Sequence, residues 1–435
     1  MLYSGIFGGG NRRFRFEKSC GQTWGSGENR RFTNGDSHRR KLDKRYSNVI
    51  KLIILFAVFS VFCLIGSVER AVAADKGSDE KLSNAIESVV DGLDLTAVES
   101  AYGGVEFFGE YTAMDRIRAY ISGQTEFSFS DIVGACIKLI FGNVSDFLPQ
   151  IMLLTAICIF GCVIDAIVVS DSSSVKEVTF FVIIAVIVSV CASGISVCAS
   201  AASQTIEALT KQIQAVFPVI LTLMTACGGS SSVAVFQPSV AYLCAFESEI
   251  CVKILFPIVY LIMVFGAIGC LSPNFKTGRA LDFFKSLFKW ITGATGFVFC
   301  FLISAKGIAT SAFDGFSVKA LKYVVGGGTP IVGQIVNGGF EVVFASCLLV
   351  KNSLGVFALV ALILSVVSPI LKIAILSLFF KFTSAVLEPI SDERVVKFLG
   401  VSSDTLGYLS AVVISVTVVY LITLFIVICS LGGAL

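Results

Sequence analysis

Five ionisable side chains lie in or at the ends of long apolar runs: Asp165, Glu341, Lys351, Lys372 and Glu388. A charge there is costly unless it is paired or reaches water, which makes each a candidate for ion coupling or pore lining. Lys351, Lys372 and Glu388 fall near expected helix ends, where a long side chain can snorkel to the interface. Glu341 is the most central, eleven residues into its apolar run, and ranks first among candidate pore-lining groups. The fourteen cysteines form a second set. Cys158 and Cys162 are one helical turn apart and Cys191 and Cys198 two, so each pair shares a helix face. No further ligand stands near either pair, so small, weakly polar packing residues account for them better than a metal or redox centre. The single histidine, His38, lies in a basic tail and supplies no Ser-His or Cys-His arrangement to the apolar part. No G-x-x-x-x-G-K-[ST] loop occurs. Neither enzymatic activity nor a cofactor or metal is expected.

Two irregular stretches complete the candidates. In "DGFSVKALKYVVGGGTPIVGQ" (314–334), Phe316, Ala320 and Tyr323 follow Phe313 on one helix face, with Lys319 and Lys322 on its polar flank. That pattern predicts an interfacial amphipathic helix. Gly326, Gly327 and Gly328 would stop it, and Thr329 would cap a new helix with Pro330 at its first position. Asp314, Gly315, Lys319, Lys322, the three glycines, Pro330, Gly333 and Glu341 are therefore candidates for lining a pore or docking a partner. In 213–250, Pro218, Gly228, Gly229 and Pro238 interrupt a segment too apolar for a loop. Either two short spans meet there or a re-entrant hairpin forms, and irregular backbone at membrane depth needs protein or water to satisfy it.

The elements that must hold these residues are membrane helices. Hydrophobic residues make up 55% of the chain and charged residues 15%, with a mean hydropathy of +0.86. This is well outside the range of soluble domains. The expected fold class is all-α, a polytopic helical membrane protein. Eight spans are predicted, at 147–169, 178–200, 254–272, 290–309, 331–350, 353–371, 372–388 and 406–430. Ahead of this domain (131–435) come three other regions. Residues 1–48 carry eleven Lys/Arg against four Asp/Glu and read as a disordered basic tail rather than a nucleic-acid-binding arm. Residues 49–73 read as an export signal, with cleavage after Ala73 or retention as an anchor as the alternatives. Residues 74–130 are acidic and extracytoplasmic, with amphipathic helices at 81–93 and 111–123, too short to bury a core alone. Lys276, Arg279, Lys285 and Lys289 place 274–289 in the cytoplasm. Lys306, Lys319 and Lys322 make the same demand one span later, and the two conflict unless 290–325 is re-entrant or interfacial.

"DGFSVKALKYVVGGGTPIVGQIVNGGFE" resembles the signature stretch of the stage III sporulation protein AE family. There an Asp-Gly, two basic residues, an aromatic and a Pro-x-Val-Gly recur in this order. "FPVILTLMTACGGSSSVAVFQPSV", "LLVKNSLG" and "SPILKIAILSLFFKFTSAVLEPISD" are similar to further family stretches, and the likeness covers about 130–430. The resemblance implies a non-enzymatic subunit of a channel complex between mother cell and forespore. It implies the mother-cell membrane as location and other stage III sporulation membrane proteins as partners. Beside these partners the lipid bilayer is expected, nucleic acid is not, and homo-oligomerisation is left open. The alternative is a self-sufficient secondary transporter with its site at the broken helices.

Overall fold

The structure is a computed structural model of the 435-residue chain. It describes residues 80–103, 129–167, 173–227, 230–271, 277–327, 332–389 and 391–429. The basic tail, the export signal and the 111–123 helix lie outside the described residues. Every element described is helical: α1 (Glu80–Asp91), α2 (Thr96–Tyr102), α3 (Phe129–Ile167), α4 (Ser173–Ala226), α5 (Ser230–Ile250), α6 (Phe256–Leu271), α7 (Gly278–Gly327), α8 (Val332–Leu387) and α9 (Glu393–Cys429). A π-helical turn, Cys251–Leu255, joins α5 to α6 without a break.

The chain is a multi-pass helical membrane protein. Six helices among the described residues are long and apolar enough to cross a bilayer. Eight spans were expected, and the difference falls on α8, where 331–350, 353–371 and 372–388 share one helix of 56 residues. Lys351 and Lys372 read as ends because a charge should not sit in an apolar run. Each has found a partner instead. Lys351 Nζ donates to the carbonyl of Ile428 at 2.7 Å. Lys372 lies 6.0 Å from the ring centroid of Phe147. Glu388 stands in the turn after α8, exposed. The other breaks are absorbed likewise. Pro218 lies inside α4, and α7 runs unbroken through the point where a span and an interfacial helix were expected to part. α3 begins at Phe129, well ahead of the first expected span at 147–169.

α9 is the axis of the bundle. Phe398, Leu406, Leu409, Val412, Val416, Tyr420 and Leu424 are among its buried residues, and its charged residues, Glu393, Lys397 and Asp404 among them, lie towards its N-terminal end. It packs most extensively on α8, then on α4, α6 and α7. Glycine allows the closest approaches: a Cβ on Gly355 would meet Ile428 at 2.5 Å, and one on Gly266 would meet Val401 at 2.5 Å.

α1 and α2 dock on this bundle rather than standing alone. α1 packs against α8 and α2 against α4. Val90, Leu95, Val98 and Tyr102 are buried, and the Tyr102 ring lies 5.4 Å from that of Phe357 on α8. The apolar face legible in 81–93 thus has its partner inside the same chain.

Candidate functional site: a polar seam beside the π turn

Helices α4, α5 and α9 meet through hydroxyl groups. Thr210 Oγ1 lies 2.7 Å from Ser248 Oγ and 3.1 Å from Tyr420 Oη, and Ser248 Oγ lies 2.6 Å from Tyr420 Oη. Tyr420 also donates to the Cys244 carbonyl at 2.9 Å, and Thr210 to the Ile206 carbonyl at 2.7 Å. With Thr210 and Tyr420 donating to carbonyls, the Ser248 hydroxyl can donate to either Thr210 Oγ1 or Tyr420 Oη, so more than one arrangement of donors serves the cluster. Such a cluster can pass a proton between its members or hold the oxygen ligands of a small cation. It also fixes the register of the three helices.

Glu247 adds a carboxylate. It is buried at 1% exposure, and Cys251 Sγ stands 4.0 Å from its Oε1, a weak thiol contact. Glu247 lies one turn before Cys251, the first residue of the π turn, and such turns recur at functional sites because the extra residue displaces the ladder. Cys244 and Cys251 on its own helix, and Cys300 on α7, are its titratable neighbours. Among the described residues no group of three or more His, Cys, Asp or Glu is placed to hold a metal ion.

The seam extends along α8. Gln212 Nε2 donates to Ser365 Oγ at 2.8 Å, while Gln212 Oε1 is buried without a partner. Farther along, Cys227 Sγ lies 3.9 Å from the Phe344 carbonyl, near the Lys351–Ile428 bond. In the opposite direction Ser377 and Ser403 clasp α8 to α9, with their hydroxyls 2.8 Å apart and Ser403 donating to the Ser377 carbonyl at 2.9 Å.

The residues singled out in the sequence lie elsewhere. Asp314, Gly315, Lys319, Lys322 and Gly326 belong to the last turns of α7, which ends at Gly327. Gly333 and Glu341 belong to the first turns of α8. Pro238 lies within α5. These are placed by backbone alone. Gly228, Gly229, Gly328 and Pro330, like Ala73, lie outside the described residues. Sequence reading missed Thr210, Ser248, Glu247 and Tyr420. The available signal was "FESEICVK" (246–253), two acids and a lysine inside an apolar run.

The sequence profile described as Stage III sporulation protein AE (spore_III_AE) matches residues 111–431. The chain belongs to this family. The Stage III sporulation protein AE of Bacillus subtilis (strain 168) is 21% identical over 388 residues, covering 86% of this chain and 96% of that protein. No solved structure matches. The whole hydroxyl cluster, Glu247 and the π turn fall inside the stretch that defines stage III sporulation protein AE, whereas α1 and α2 precede it.

Proposed function

We propose that this chain is a non-enzymatic membrane subunit of a sporulation-specific channel complex. It joins mother cell and forespore and supports forespore development after engulfment. It sits in the mother-cell membrane and works with other stage III sporulation membrane proteins. The observation that carries this reading is the family match over 111–431. Multi-pass helices and a chain without a nucleotide-binding loop fit a passive subunit whose energy comes from elsewhere. The 314–330 segment, with Gly333 and Glu341, is the proposed pore-lining or partner-docking element. Gly228 and Gly229, between α4 and α5 in the chain, with Pro218 in α4 and Pro238 in α5, are the second proposed segment.

Deletion of the gene in its sporulating host is the direct test. Spores are expected to arrest after engulfment with forespore gene expression lost, and normal spores would sink the proposal. Gly327→Leu and Asp314→Ala, introduced at native level, are expected to block spore formation without removing the protein from the membrane. If both behave as wild type, the segment is only a turn.

One observation favours a second reading, a self-sufficient transporter: the buried Glu247 carboxyl beside the π turn and the hydroxyl cluster. Proteoliposomes of the pure protein should then move a solute, with Glu247→Gln abolishing the flux. No flux from the pure protein, with crosslinks to channel partners in sporulating cells, decides for the subunit.

A further inference from the structure

The long helices overshoot any bilayer. α4 has 54 residues, α7 has 50 and α8 has 56, whereas about 20 residues cross a hydrocarbon core of about 30 Å. Their surfaces change character along their length. On α4 the exposed large apolar residues, Phe181, Val182 and Val186 among them, run from Val178 to Val197 and then stop. From Gln204 onward the exposed positions include Glu207, Lys211, Gln214, Thr222 and Thr225, a polar stripe at helical spacing. On α7 the described exposed apolar residues run from Phe283 to Leu302. The α4 stretch is about 30 Å long as a helix, the thickness of one bilayer core.

Contacts set the depths against one another. The Thr210–Ser248–Tyr420 cluster and the Gln212–Ser365 bond bring the polar stripe of α4 level with Ser248 of α5 and Ser365 of α8. At that level α5 exposes the ion pair Lys253–Glu249, with side chains 71% and 56% exposed. Tyr242 and Phe246, one to two turns beyond, are the exposed aromatics expected of an interfacial zone. Two turns beyond Ser365, Phe357 receives Tyr102, and the docked α1–α2 pair turns Glu87, Asp94 and Glu99 outward. Carboxylates on that outer face cannot lie in hydrocarbon. Two independent surfaces, the α4 stripe and the outer face of α1–α2, therefore put this end of the bundle in water.

We infer that the bilayer covers only one half of the bundle. The other half, with α1, α2, α4 from about Gln204 and α8 up to about Ser365, stands as a helical extension in water on the extracytoplasmic side. The side follows from charge: the basic 274–289 stretch begins α7, at the lipid-facing end. Lys306, Lys319 and Lys322 then fall on the extracytoplasmic half of α7, where they depart from the positive-inside rule that 274–289 obeys, and no re-entrant segment is needed. The inference does not depend on the channel reading.

Thiol labelling of the full-length protein in membranes tests it, with the unsubstituted chain as the background for its own cysteines. Lys211→Cys and Thr222→Cys are compared with Val182→Cys and Phe297→Cys, and Ser100→Cys on α2 marks the extracytoplasmic side. A bulky, membrane-impermeant maleimide applied from outside is expected to label positions 211 and 222 at least an order of magnitude faster than 182 and 297. Protection of 211 and 222 while 100 reacts overturns the inference. Reaction of 211 and 222 with small but not bulky maleimides also overturns it, placing them in a narrow lumen within the membrane. Labelling only from the cytoplasmic face overturns the assigned side.

Discussion

Lys351 of α8 caps the end of α9: its fully buried ammonium donates to the Ile428 carbonyl at 2.7 Å. Ile428 stands in the last turn of α9, where carbonyls have no partner within the helix. A cation there also meets the negative end of the helix dipole. The lysine that looked like a break in α8 is thus the residue that closes α9.

Removing that ammonium should loosen the α8–α9 contact. Lys351→Met keeps most of the volume but leaves the Ile428 carbonyl without its donor. A loss of about 1–3 kcal/mol is expected, as for a charged hydrogen bond. A lowered thermal midpoint of the detergent-solubilised protein is the readout. An unchanged midpoint would mean that the cost of burying the charge cancels the bond.

The same spot makes a steric prediction. A Cβ on Gly355 would come within 2.5 Å of both Cδ1 and Cγ1 of Ile428. Gly355→Val should destabilise by about 1–3 kcal/mol through overpacking. Pairing it with Ile428→Ala should restore part of that loss, measured as a double-mutant cycle. Two costs that simply add would place the strain elsewhere.

The hydroxyl cluster predicts coupling across three helices. Tyr420→Phe removes the donor to the Cys244 carbonyl and the acceptor beside Ser248. A cost of about 1–2 kcal/mol in unfolding free energy is expected. Tyr420→Phe with Ser248→Ala should cost less than the sum of the two, because each change already breaks the shared bond.

A pH prediction concerns α2, which lies outside the membrane spans. The Thr96 hydroxyl and the Thr96 N–H both donate to Asp94 Oδ1, and these bonds hold the carboxyl below its ordinary range. A carboxyl depressed in the folded state stabilises above its unfolded pKa, about 3.9, and the contribution is lost as pH falls through the folded value. Protection of the amides at the start of α2, taken relative to the unstructured exchange rate at the same pH, should therefore be high at neutral pH and fall only in acid below the ordinary carboxylate range. Asp94→Ala should show the lower protection at neutral pH as well.

Membrane class, helicity and family were legible in the sequence, since each rests on composition or on residues close together in the chain. The amphipathic face of 81–93 also became α1, packed through Val90. Helix ends were harder to read. Pro218, Lys351 and Lys372 carry the local signs of breaks, yet α4 and α8 run through them. A proline costs a helix about 3 kcal/mol and a charge in an apolar run is also costly, but packing against other helices and a partner for each lysine offset both.

The polar seam was not legible, because its members come together only in three dimensions. Thr210 and Tyr420 are 210 positions apart, and Ser248 and Tyr420 are 172 apart. A serine or threonine in an apolar run looks the same whether it bonds its own helix or a distant one.

By itself the sequence determined that this chain is a membrane helix bundle of the stage III sporulation protein AE family, because hydropathy and motif are properties of the chain alone. The tertiary structure decided which polar residues meet and which interruptions vanish into continuous helix. It also decided which face of each long helix is left for lipid and which for water. Those are properties of contacts, and a helix face acquires its environment only when its neighbours have covered the others.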